Sequence, residues 1–220
     1  MKDQIEQALQ QRILILDGAM GTAIQKLGLT EDDYSGGRFC HHNQKGNNDI
    51  LNLTRPEIIK TIHKAYLAAG ADIIETNTFN GNRISQADYG LEDKVYDINF
   101  YGAKIAKDAI NEYRESHPGK EWFVAGSIGP TNKTASLSPD VENPGSRNIS
   151  FDELREAYEE QIEALVDGGV DLLLIETIFD ALNARAAIIA ADQVLTRKGK
   201  NLPVMISGTI TDKSGRILTG

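Results

Sequence analysis

One cysteine, one tryptophan and six prolines occur in the 220 residues of this chain, and aromatic residues make up only 6% of it. With no second thiol, Cys40 cannot close an internal disulfide, which excludes the cross-linked scaffolds of small secreted domains. No apolar run approaches the roughly 18 residues of a membrane span. Residues 1–12 read as a polar amphipathic helix and not as a secretory signal, so the chain reads as cytosolic. Positive charge is also scarce: 23 Lys and Arg face 32 Asp and Glu, for a net charge of -9, and no four basic residues run together. That balance argues against nucleic acid or an anionic membrane as partner, because phosphate binding needs clustered cations. No Ser-His-Asp, P-loop or Cys-x-x-Cys pattern is present.

What is present is ordinary in bulk, 40% hydrophobic and 25% charged, and long enough for a substantial single core. Its organising stretch is Gly-Gly-Val-Asp-Leu-Leu-Leu-Ile-Glu-Thr-Ile-Phe at 168–179. An earlier copy reads Ala-Gly-Ala-Asp-Ile-Ile-Glu-Thr-Asn-Thr-Phe at 69–79. Each is an apolar run that begins at an aspartate and stops at a glutamate. That is the pattern of a strand buried on both faces of a parallel sheet, with a charge held to its carboxyl end. The parity of the spacing puts each Glu on the face opposite its Asp.

Around these, strands are predicted over 13–16, after Gly70, over 122–130 with its end, over 170–175 and over 203–209. Helices are predicted over 3–11, 22–27, 91–113 and 181–196. Two more open at capping boxes, Thr54 with Glu57 and Ser150 with Glu153. Residues 28–52 and 131–149 read as long loops, and His63 is predicted on the exposed side of its helix. Five β-α repeats without hairpins mean a parallel sheet covered by helices. A doubly wound sheet competes with a closed barrel, but Asp-Gly-Ala-Met-Gly-Thr at 17–22 lacks the third glycine of a dinucleotide turn. Asp17, Glu75, Ser127, Glu176 and Ser207 at successive strand ends favour an α/β fold of the (β/α)8 TIM type, of which 1–220 supplies about the first five units. An open five-strand arc would leave unpaired edges, so further strands are expected beyond Gly220.

Asp17, Glu75 and Glu176 can hold a substrate ammonium, bind a metal or exchange protons. The plainer reading is a polar plug on the rim. Gly18, Ala19, Met20 and Gly21 can expose successive amides to an anion, or simply form the tight turn for which glycine is the default. Ser127 with 128–131 is open to the same pair of readings. Cys40-His41-His42 lacks the spacing that fixes a metal tetrahedron. His63 and His117 read as solvated.

Several long motifs in order are similar to one family. Leu-Asp-Gly-Ala-Met-Gly-Thr at 16–22, Lys-Gly-Asn-Asn-Asp at 45–49, the 70–79 stretch, Gly-Pro-Thr-Asn-Lys-Thr at 129–134 and Ile-Ser-Gly-Thr-Ile at 206–210 resemble the homocysteine-binding module of cobalamin-dependent methionine synthase. The resemblance implies a barrel that binds homocysteine at its mouth, with zinc held by three cysteine thiolates activating the substrate thiol. It implies methylcobalamin as methyl donor, with folate, cobalamin and activation modules elsewhere in the same full-length, cytoplasmic chain. Carried over, Asp17 and Glu176 would hold the substrate ammonium, the backbone of Gly18 to Met20 its carboxylate, and Glu75 and Ser127 would line the mouth. The zinc cysteines of the family lie on later strands and are expected beyond Gly220, so no catalytic or metal residue is expected within 1–220. The isolated chain is expected to be inactive and to bind no cofactor. Betaine- or S-methylmethionine-dependent homocysteine methyltransferases, and a noncatalytic fragment completed by another chain, are the alternatives.

Overall fold

The structure is a computed structural model that describes residues 2–210 and 212–219. Gly220, beyond which further strands are expected, lies outside the described residues. Among the described residues four parallel strands form one sheet, β1 (Ile73–Glu75), β2 (Phe123–Ile128), β3 (Leu172–Ile178) and β4 (Val204–Gly208), each paired with the next in chain order. Nearest-neighbour order, with a helix between successive strands, is the arrangement of a (β/α)8 barrel wall and not of a doubly wound sheet.

The predicted first strand is reduced. Leu16 makes an isolated parallel bridge to Ile73, and the Asp17 amide donates to the Ile73 carbonyl at 2.9 Å. The segment therefore lies beside β1 as expected, but its ladder stops there. The reason lies at Ile15, whose amide donates to the Asp72 carboxylate at 2.9 Å instead of to a neighbouring strand.

The sheet separates two apolar layers. Ile74, Val124, Leu173 and Ile175 face outward against α5 (Pro56–Ala68), α7 (Val95–Ser116), α8 (Phe151–Gly168) and α9 (Ala181–Lys198) through residues such as Leu67, Ile110, Leu165 and Val194. Ile73, Phe123, Ala125, Leu172 and Leu174 face inward and meet Ile5 of α1 (Lys2–Gln11), which closes the floor. At the entrances of β1 and β3 the aspartates have parallel roles. Asp72 pairs with Arg12 and Lys120, each at 2.7 Å. Asp171 pairs with Lys107 at 2.6 Å and accepts the Val124 amide at 2.8 Å.

Of the two expected capping boxes, Ser150 and Glu153 form theirs. Thr54 does not: its hydroxyl donates back to the Ile50 carbonyl, and α5 starts at Pro56 with Arg55 as its uncapped N-cap. Proline pre-sets the first helical position and pushes the residue before it out of helical space, so the chain breaks at Arg55. The 28–52 segment is more structured than a loop. It contains α3 (Glu31–Ser35), with its own Thr30–Asp33 box, then a 3-10 turn at Asn48–Ile50 and a short α4 (Leu51–Thr54); a further short helix, α6 (Arg83–Gln86), follows β1.

His63 is fully buried, contrary to expectation. Ile59 and Leu67 stand four residues to either side of it on the same helix, so His63 lies inside the apolar stripe. Neither ring nitrogen finds a partner among the described residues, and burial pushes its pKa down to about 4.

The helix layer closes tightest where α7 crosses the end of α8. A Cβ on Gly168 would stand 2.5 Å from the Ala103 Cβ and 2.8 Å from the Phe100 carbonyl oxygen. Gly168→Ala is expected to lower stability by about 1–3 kcal/mol through overpacking. Urea denaturation checks this, and an unchanged midpoint would show that the two helices separate freely.

Candidate functional site

At the carboxyl ends of the strands the inward file turns from apolar to polar. Glu75 follows Ile73 by two residues, Ser127 follows Ala125 and Glu176 follows Leu174, so alternation carries all three onto the interior face. They open into a cavity of about 410 Å³ that is also lined by Asp17, Gly18, Ala19 and Met20. All seven residues expected to meet the substrate are thus brought together at one place, with Gly21 beside them, whereas Ser207 is exposed on β4 and does not line the cavity. Cys40, His41 and His42 lie elsewhere, on the exposed surface.

The Asp17 carboxylate accepts the Glu75 amide at 3.1 Å through Oδ2. Its Oδ1 is buried with no partner among the described residues. The plug reading therefore holds for one oxygen of Asp17 and fails for the other. Ser127 is buried and donates its hydroxyl to Glu176 Oε1 at 2.5 Å. Glu176 itself sits on a bulge. Ile175 and Ile178 pair with Ile206 and Gly208, so β3 carries one extra residue. Thr177, within the bulge, has φ +57°. A β-branched residue in the left-handed region is strained by about 1–3 kcal/mol, a load that bulges at strand ends carry where they re-aim a side chain. On the opposite side α2 (Met20–Gln25) begins at the Gly18–Ala19 turn. The first amides of a helix have no acceptor within it, and these open at the rim.

The remaining wall comes from the Asn48–Asp49 turn and from Thr76, Asn77, Phe79 and Asn80, which the sequence did not assign to the site. Asn77 ties the two together, donating to the Asn48 carbonyl at 2.7 Å. The Asn80 amide donates to Asp49 Oδ1 at 2.9 Å. Gly129 lets this wall close, since a Cβ there would lie 2.4 Å from the Phe79 carbonyl oxygen. Polarity gave no signal for this wall, since Asn47, Asp49 and Asn52 are buried although their residue types read as a solvated loop.

Four carboxyl groups line this cavity, and among the described lining residues there is no Lys, Arg or His. Burial pushes the Glu75 carboxyl up to about 8, helped by the neighbouring charges of Glu176 and Asp17. Burial likewise raises Asp17 to about 7, opposed by the Glu75 amide and aided by Glu176. Asp49, fully buried, is raised to about 7 despite the Asn80 amide. Glu176 is raised by burial, with the Ser127 hydroxyl pulling the other way. Like charges at this density cannot all ionise in a partly dry cavity. A cation brought into the cavity would relieve that repulsion.

A metal is a poor fit for that cation. Among the described residues no three His, Cys, Asp or Glu side chains are arranged to hold one. The one thiol, Cys40, is exposed outside the cavity. The expectation of zinc cysteines beyond Gly220 concerns sequence outside the described residues.

The raised carboxyls bind protons in the folded state that the unfolded chain has released. Their stabilising contribution is complete below about pH 4 and is lost as pH rises through 7 to 8. His63 works in the opposite direction, but only below its unfolded value of 6.5. Between pH 6.5 and 8.5 the wild-type chain is expected to lose stability. Glu75→Gln should recover about 1–3 kcal/mol of it at the upper end, at about 1.4 kcal/mol per pKa unit reduced for partial solvation. Denaturation midpoints across that range measure it, and parallel slopes for the two proteins would contradict the assignment.

Comparison with known proteins agrees with this architecture. The chain is similar to the homocysteine methyltransferase MmuM from Escherichia coli in its metallated form, at 25% identity and TM-score 0.71, with 96% of this chain covering 68% of that one. The oxidised form of MmuM matches over the same shares at 24% identity and TM-score 0.71, and the apo form at 23% and 0.63, covering 66% of its length. The family model for homocysteine S-methyltransferase matches residues 14–220. With nearly its whole length accounted for by that model, the chain belongs to the homocysteine S-methyltransferase family.

Proposed function

We propose that the cavity binds homocysteine as a zwitterion, and that the chain is the homocysteine-binding part of a methyltransferase of the cobalamin-dependent methionine synthase type. The observation that carries the binding reading is the carboxyl cluster without a lining cation, set beside the open amides of the Gly18–Met20 turn. An α-amino acid offers the matching pair, an ammonium for Asp17 and Glu176 and a carboxylate for the amides. Binding the ammonium lets carboxyls ionise that burial otherwise keeps protonated, so recognition is coupled to proton release. The narrower assignment to the cobalamin-dependent type rests on the 129–134 and 206–210 motifs. Betaine and S-methylmethionine are the competing donors.

These residues bind and orient, and the chemistry lies at the substrate sulfur. The family in general uses zinc there. The described residues do not fit that ion, so no step on the sulfur is assigned to them. Their contribution is to hold the amino-acid end so that the side-chain thiol has one direction in which to extend.

Calorimetric titration with L-homocysteine is expected to show binding. Glu176→Gln and Asp17→Asn should each weaken it by roughly 10- to 100-fold, the range for removing one charged hydrogen-bond partner. Equal affinity for homocysteine and for its des-amino analogue would refute ammonium recognition. In the protein assayed with its donor, methyl transfer from methylcobalamin, and not from betaine or S-methylmethionine, is the expected result. Metal analysis of the purified 220-residue chain should give zinc well below one ion per chain, and a chelator-sensitive 1:1 stoichiometry would defeat that expectation.

A further inference from the structure

β1 ends at Glu75, but its neighbour β2 runs on to Ile128. The ladder between them advances two residues at a time: the Phe123 amide donates to the Asp72 carbonyl and the Thr76 amide to the Ala125 carbonyl, both at 2.9 Å. Continued regularly, it would join the Ser127 amide to the Thr76 carbonyl and the Thr78 amide to the Ser127 carbonyl. The backbone instead turns away, with the Thr78 amide bonding the Thr76 carbonyl at 2.9 Å. The two vacated rungs are filled by side chains of the same two residues. The Ser127 amide donates to Thr76 Oγ1 at 3.0 Å, and Thr78 Oγ1 donates to the Ser127 carbonyl at 2.8 Å.

The two hydroxyls meet each other at 2.6 Å. A carbonyl oxygen cannot donate, so the Thr78 proton belongs to the Ser127 carbonyl. The Thr76 proton must then point at Thr78 Oγ1, which leaves a Thr76 lone pair for the Ser127 amide. One arrangement satisfies every group. All three residues are buried, at 3% exposure or less, so no water competes for these positions.

We propose that Thr78, acting with Thr76, is a positioning residue of the site: the hydroxyl pair stands in for the missing end of β1 and fixes Ser127 so that its own hydroxyl faces Glu176. The sheet register at the mouth is thereby kept while the chain is freed to bring Thr76, Asn77, Phe79 and Asn80 to the cavity wall. Thr78 does not line the cavity itself and reaches the ligand only through Ser127 and Glu176. Its effect on substrate rests on the homocysteine reading above. Its effect on Glu176 does not.

The test therefore begins without ligand. Carbon-detected NMR titration of the Glu176 carboxyl is compared in wild type, Thr78→Val and Thr78→Ser. Valine keeps the shape and removes the hydroxyl, so Ser127 loosens and Glu176 loses its donor. The Glu176 midpoint is expected to move upward in Thr78→Val and to return in Thr78→Ser. In a Ser127→Ala background Thr78→Val should produce no further movement. An unmoved midpoint in folded Thr78→Val, or an equal added shift without Ser127, would overturn the proposal. If Thr78→Val does not fold, Thr78→Ala carries the same comparison. Homocysteine affinity is expected to fall about tenfold in Thr78→Val and to recover to within about twofold in Thr78→Ser. Failure of the wild type to bind homocysteine would remove the functional reading, while the titration still decides the positioning role.

Discussion

Every second residue of β1, β2 and β3 looks into the same interior, and that period binds the polar mouth to the apolar floor. Ile73, Phe123, Ala125, Leu172 and Leu174 fill the floor against α1. Glu75, Ser127 and Glu176 are the next members of the same files. Slipping a strand by one residue would turn its carboxylate toward the helices and pull an outward residue such as Ile74 or Ile175 into the mouth. Burial of the outward row against α5, α7, α8 and α9 is what makes such a slip costly. Packing on one face of the sheet therefore aims the charges on the other.

This coupling explains why so much of the site was legible. A strand buried on both faces is a nearly unbroken apolar run, and a carboxylate at its end has few structural uses. Asp17, Glu75 and Glu176 stand out on that ground, and the odd Asp-to-Glu spacing shared by the two copies sets a common direction for Glu75 and Glu176. The parallel order of the strands and the helix between each pair follow from the same alternation.

The misreadings have two causes: some depended on partners distant in sequence, and some on near neighbours that outweighed a residue's own polarity or motif. Residues 13–16 look like any strand, and nothing local shows that Asp72 will take the Ile15 amide. Thr54 and Glu57 match a capping box, yet Pro56 between them fixes the helix start one residue later. His63 reads as polar and therefore outward, although it occupies the stripe of Ile59 and Leu67. The 47–52 run reads as solvated because it is polar, whereas its amides are satisfied inside the protein: Asn47 pairs with Gln86, and Asn52 donates to the carbonyls of Asn77 and Ile98. Composition records polarity. Only the fold decides whether water or another buried group answers it.

The two carboxylates that bracket β1 show what separates a compensated charge from an uncompensated one. Asp72 and Glu75 are three residues apart at its two ends, and both are taken largely out of water. Against burial, hydrogen bonds from Arg12, Lys120 and the Ile15 amide hold the Asp72 carboxyl down at about 2. Burial lifts Glu75 to about 8, because only other carboxyls answer it. Desolvation alone would raise both, so the partners account for the difference in direction. At the entrance the protein supplies the cations, and the charge is locked into the fold. At the mouth no described side chain supplies one, and the unmet demand is the feature a cationic ligand can satisfy. The pairing differs in the same way further on: Asp171, just before β3, is paired with Lys107, whereas Glu176, five residues later, meets a single neutral hydroxyl. Two strands thus repeat one division of labour, with compensated charge at the floor and uncompensated charge where a substrate would enter.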